Sequence, residues 1–111
     1  MTTAQAQIFA GICGFETAVK AESEDQQMVS FCIESDCAKV CSMAEVITRL
    51  GPVDAYAEID PSGTGVLMEA MRGVLKGCCS GCAVPVGVFK SMQVSAGLAL
   101  PREVHISLTR S

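Results

Sequence analysis

The run VSFCIESDCAKVCSMAEVITRL, residues 29–50, changes its hydrophobic period midway, and that change sets the fold class. In the first half Val29, Phe31 and Ile33 alternate with polar or small residues, the period-two pattern of a strand with one buried face. In the second half Val40, Met43, Ala44, Ile47 and Leu50 fall on one stripe of a helix from Cys37 to Leu50. Ser35 and Asp36 lie at the switch, where short polar side chains can take the first free N–H groups of a helix. Gly51-Pro52 stops it. A strand feeding an amphipathic helix predicts a layer of sheet covered by a layer of helix.

The same alternation precedes this run. Ile8, Ala10 and Ile12 form one set, and Thr17, Val19 and Ala21 a second. Gly14 between them can take the positive φ of a tight hairpin, and Glu24, Asp25, Gln26 and Gln27 form a second polar turn. Three strands in an antiparallel meander are expected. Beyond the helix, Val53 to Ile59 alternates weakly and reads as an edge strand or an irregular connection, and Asp60-Pro61-Ser62-Gly63 reads as a turn. Thr64 to Lys76 is helical again, with Leu67, Ala70, Met71, Val74 and Leu75 on one side and Gly77 as terminator. After the loop Cys78-Cys79-Ser80-Gly81-Cys82, Pro85 suits the start of a helix to about Ala99, and Pro101 prevents its continuation. Val104, Ile106 and Leu108 then read as the inward face of a last strand. The expectation is a single α+β domain over residues 1–111, with a mixed four-stranded sheet (β-β-β-α-α-α-β) and helices packed on one face.

Composition agrees with one globular domain. The chain has 111 residues, 50% hydrophobic and 18% charged, which excludes disordered and collagen-like classes. A net charge of −4 provides no cationic field for a phosphate backbone, and with no Trp, one Tyr and four Phe there is no aromatic platform for single strands. Nucleic acid is therefore not an expected partner. Met1 to Gln7 has no basic cluster, and the apolar stretch Ala83 to Leu100 is broken by Lys90, Ser91, Gln93 and Ser95, so neither a targeting signal nor a membrane span is read. A cytoplasmic location is expected. There, seven cysteines stay reduced, and an odd count cannot pair completely within one chain.

Topology gives those thiols a meeting place. The first and third strands of a meander end at the same edge of the sheet, which brings Cys37 near Cys13. A last strand parallel to them needs its preceding helix to begin at that edge too, and the loop Cys78 to Cys82 precedes that helix. Cys79-x-x-Cys82 has the spacing with which two thiolates grip one ion, and Cys13 and Cys37 can complete a tetrahedral set for zinc or an iron–sulfur cluster. Cys78 is an alternative to Cys79. Cys32 and Cys41 read as packing residues. The expected role is a metal-binding accessory or carrier protein, with an unidentified protein partner.

Two other readings share the same residues. A cysteine just before a helix gains thiolate character from the helix terminus, so Cys82 can serve as a nucleophile with Cys79 resolving, in thiol redox or sulfur transfer. Alternatively the cysteines only pack, and the chain is a structural domain that forms a homodimer through an edge strand. Conventional enzyme constellations are thin. His105 alternates onto the solvent side of the last strand, Gly63-Thr64-Gly65 lacks the later glycine and lysine of a phosphate loop, and no carboxylates form an acid–base pair.

Cys13-Gly14-Phe15, Ser35-Asp36-Cys37 and Cys82-Ala83-Val84-Pro85-Val86-Gly87-Val88, with Ala96-Gly97-Leu98-Ala99-Leu100-Pro101, also carry a resemblance. Over nearly its whole length the chain resembles a family of small cysteine-containing proteins of unknown function from anaerobic bacteria and archaea. The resemblance implies cysteines at Cys13, Cys37 and Cys82 and another near Cys78 or Cys79, and so favours the rim cluster. It brings no activity. Where the family has Cys-Pro-Val-Pro, this chain has Ala83 in place of the first proline.

Overall fold

The computed structural model describes residues 1–111 and begins with three strands: β1 (Thr2–Phe9), β2 (Glu16–Ser23) and β3 (Met28–Ser35). They pair as the expected antiparallel meander, with Ala4 opposite Ala21, Ile8 opposite Thr17 and Val19 opposite Ile33. Because alternate side chains face alternate sides, Ala4, Ile8, Thr17, Val19, Ala21 and Val29 are buried on one face. Gln5, Gln7, Ala18, Lys20, Cys32 and Glu34 are exposed on the other.

The first strand ends at Phe9, so the alternation read through Ile12 is corrected. Gly11 and Gly14 take φ of 90° and 74°, and the Gly14 N–H donates to the Gly11 carbonyl at 2.9 Å, closing a turn that leaves Ile12 and Cys13 exposed. At the next turn the Asp25 carboxylate accepts the N–H groups of Gln27 at 3.0 Å and Met28 at 2.9 Å.

Helix α1 (Ala38–Leu50) follows β3 and buries Val40, Met43 and Ile47. The segment read as either edge strand or connection is both. Val53–Asp54 is a short strand, β4, paired with Met28 and Val29, and Asp54 then caps α2 (Ala55–Glu58) by accepting the Tyr56 N–H at 2.9 Å. Helix α3 (Leu67–Val74) buries Leu67 and Met71. It starts later than Thr64 because the Glu58 carboxylate collects the N–H groups of Val66 at 2.7 Å and Leu67 at 2.6 Å. A 3-10 helix (Gly77–Gly81) leads to α4 (Val84–Ser95), which lies across β1 and β2. Met43, Leu67, Met71, Leu75, Val88 and Met92 fill the space between helices and sheet.

The fold is α+β, with a four-stranded sheet, but the sheet is antiparallel throughout, in the order β1-β2-β3-β4. The mixed sheet closed by a last strand over Val104 to Leu108 is corrected: the fourth strand is Val53–Asp54, and residues 101–111 join no strand and are exposed. Alternation defines which side of a segment seeks burial; it does not supply the neighbouring strand. His105 accordingly sits in this exposed segment and not on a sheet. No helix is long and apolar enough to cross a membrane.

Candidate functional site

Three turns lie at one end of the sheet, and each carries a cysteine singled out above. The first is the β1–β2 hairpin with Cys13 at its exposed tip. The second is the β3–α1 junction. There the Thr17 and Ser35 hydroxyls bond at 2.7 Å, Ser35 Oγ accepts the Cys37 N–H at 3.1 Å, and Cys37 is the residue before the first turn of α1. The third is the approach to α4. Gly87 lies against Ile8 near the end of β1, which brings the start of α4 and Cys82 before it to the hairpin end. The far end of α4 reaches the opposite turn, where Gly97 stands by Gln26.

The Cys79-Ser80-Gly81-Cys82 segment is built as one tight turn. The Cys79 N–H donates to the Lys76 carbonyl at 3.2 Å and the Cys82 N–H to the Cys79 carbonyl at 3.1 Å. Gly77 enters the turn at φ 65°. Arg72 on α3 fixes it from outside, its Nη1 donating to the Ser80 carbonyl at 2.6 Å. Sequence reading did not single out Arg72; its eight-residue separation from Ser80 has no local signature. The Val84 N–H is directed at Cys82 Sγ at 3.5 Å, a long contact within the range for sulfur. Cys79 and Cys82 are half-buried against the core, as is Cys37. Cys78 faces solvent.

The seven cysteines therefore divide in two. Cys37, Cys79 and Cys82 pack partly on the core; Cys13, Cys32, Cys41 and Cys78 are exposed. Cys32 and Cys41, read as packing residues, do not pack: Cys32 lies on the solvated face of the sheet, and the Cys41 thiol donates to the Ser35 carbonyl at 3.3 Å. Topology brings the turns bearing Cys13, Cys37 and Cys82 to one end of the sheet, yet no three His, Cys, Asp or Glu side chains converge as a ready-made metal centre. The donor set held by a single element is the Cys79/Cys82 pair. Two half-buried thiols in one turn can bind a soft ion with vacant positions left for exchange, or form and break a disulfide with a partner.

The remaining surface is poor in alternatives. A shallow depression on the outer sheet face is lined by Gln5, Gln7, Ala18, Lys20, Cys32 and Glu34, and Lys20 there is tied to Glu22 at 3.0 Å. Gly63-Thr64-Gly65 is a turn as expected: the Gly63 N–H donates to the Asp60 carbonyl at 3.0 Å, and Gly65 packs so closely on Glu58 that a Cβ would come within 2.8 Å of its Cα.

The model of a family of unknown function, DUF6951, matches residues 4–108, and the chain belongs to that family. No curated protein and no solved structure matches.

Proposed function

We propose that this DUF6951 member is a small accessory or carrier protein that takes a thiophilic metal, zinc or the iron of an iron–sulfur centre, as transient cargo on Cys79 and Cys82. The observation that supports the reading is the turn itself, which holds both thiols in one hydrogen-bonded segment with the Val84 N–H directed at Cys82 Sγ. N–H groups directed at metal-bound sulfur are one of the means by which proteins tune such sites. A closed four-ligand cage retains its ion, whereas a carrier needs a grip that leaves positions open to the recipient's ligands. Cys37 and Cys13, on turns at the same end of the sheet, are the thiols that would complete the coordination when cargo is held.

The test is elemental analysis after anaerobic purification, followed by anaerobic titration with zinc or ferrous iron while unreacted thiols are counted. Uptake of one equivalent that shields Cys79 and Cys82 together, and its loss in Cys82→Ser, supports the reading. Absence of stoichiometric uptake by the fully reduced chain rejects it.

A second reading rests on the same pair without metal, and the place of Cys82 just before α4, with the Val84 N–H directed at its sulfur, favours it. In this case Cys82 attacks a partner's disulfide, Cys79 resolves the mixed disulfide, and a Cys79–Cys82 disulfide forms as the partner gains two thiols. A defined midpoint potential for that pair, unchanged by metal chelators, distinguishes it from cargo binding.

A further inference from the structure

We propose that two copies of this chain exchange their 103–108 segments, each segment adding as an outer strand along β1 of the other copy. The sheet order leaves β1 with one unpaired side, whereas the opposite edge, β4, is two residues long and runs straight into α2. Isolated sheet edges are kept from pairing by charged residues, proline or short length. The eight residues of β1, TTAQAQIF, contain no charge and no proline. They present a full row of backbone groups for another strand.

The segment Glu103-Val104-His105-Ile106-Ser107-Leu108 has the complementary form. Val104, Ile106 and Leu108 alternate with His105 and Ser107, as Ala4, Ala6 and Ile8 alternate with Gln5 and Gln7 on β1. In the single chain those apolar side chains stand in solvent, 55%, 67% and 90% exposed, and Leu100 is 86% exposed. The family match runs through residue 108, so the segment lies within the matched extent of the domain. Its departure from the body is fixed. Gly97 at φ 76° ends α4, with the Gly97 N–H on the Val94 carbonyl at 3.1 Å and the Leu98 N–H on the Gln93 carbonyl at 2.7 Å. Beyond Pro101 no backbone hydrogen bond ties the chain to its own sheet.

One copy thus holds a strand without a sheet and a sheet edge without a strand. A reciprocal exchange satisfies both in both copies and closes as a two-fold dimer. The added strand would extend the buried face of the sheet with Val104, Ile106 and Leu108 and the polar face with His105 and Ser107. No cysteine takes part, so the dimer is independent of the thiol chemistry above.

The experiment measures the mass of the full reduced chain by sedimentation and light scattering, together with amide hydrogen exchange of β1. The expected result is a dimer with protected β1 amides. The double variant Val104→Lys/Ile106→Lys becomes monomeric, keeps its circular dichroism and loses that protection, while His105→Lys remains a dimer. A wild-type monomer overturns the proposal, whether its β1 amides are open or are protected by the segment closing on its own edge. A dimer that survives Val104→Lys/Ile106→Lys overturns it equally.

Discussion

Gly87 on α4 lies directly over Ile8 on β1, so closely that a Cβ at Gly87 would come within 2.7 Å of Ile8 Cγ1 and closer still to Cδ1. The contact presses the first half of α4 onto the edge strand and thereby sets where the Cys79–Cys82 turn meets the sheet. A glycine inside a helix forgoes about 1 kcal/mol of helix propensity relative to alanine, and here close packing is its reason.

Gly87→Ala is expected to destabilise the chain. Overpacking a filled site costs about 1–3 kcal/mol, and the helix propensity gained offsets about 1 kcal/mol of it. Urea unfolding should give a lower midpoint for Gly87→Ala. In an Ile8→Ala background, where the clashing atoms are gone, the same change should be neutral or stabilising. Equal effects in the two backgrounds would show that the helix does not rest on Ile8.

Glu58 caps α3 from outside the helix, its two oxygens on the Val66 and Leu67 N–H groups. Glu58→Ala removes both acceptors and should cost about 1–2 kcal/mol, the range for losing a helix cap. Glu58→Gln keeps one acceptor oxygen and should lose less. Faster amide exchange at Val66 and Leu67 in Glu58→Ala, without change at β2, is the local signature.

These two contacts show where sequence reading stops. The meander and α1 were legible because their apolar residues repeat at two and at 3.6, and each period has one structural meaning. β1 starts earlier than its alternation signals because its early inward residues are Ala4 and Ala6, weak strand formers, while Ile12 in the following turn mimics a further inward position. That the turns with Cys13 and Cys37 share one end follows from strand directions, whereas the argument for Cys82 ran through a closing strand that does not form, and α4 starts at that end because Gly87 packs on Ile8. Whether their sulfurs point at one another depends on side-chain geometry in three turns, which periodicity does not encode. The closing strand failed for a related reason, since Val104, Ile106 and Leu108 report a face that seeks cover but not whose edge covers it.

Acid should loosen the β2–β3 turn. The backbone N–H groups of Met28 and Gln27 hold the Asp25 carboxyl below its ordinary value, and the Ser62 N–H does the same at Asp60. A folded-state pKa below the unfolded one contributes stability above the unfolded value, near about 3.9, that is lost as pH falls through the folded value. Urea midpoints measured from neutral pH down through this window should therefore decline. Asp25→Asn should be less stable at neutral pH and show a shallower decline, converging with the wild type once the carboxyl is protonated. An identical slope in the variant removes Asp25 from the account.

The division of the thiols predicts an order of reaction. With a small neutral alkylating agent under reducing conditions, Cys13, Cys32, Cys41 and Cys78 should react first, because they are exposed in the folded chain. Cys37, Cys79 and Cys82 need partial release from the core. A local opening costing about 1.4 kcal/mol slows them roughly tenfold, so intact mass spectra should pass through a four-adduct plateau before the remaining three sites fill. In urea all seven should react at similar rates, which separates burial from intrinsic reactivity. Zinc added to the native chain should slow Cys79 and Cys82 in parallel, and slowing of Cys37 and Cys13 with them would show the ion drawing the neighbouring turns together. If zinc leaves the whole order unchanged, the pair does not grip that ion, and the disulfide chemistry of Cys79 and Cys82 becomes the reading to pursue.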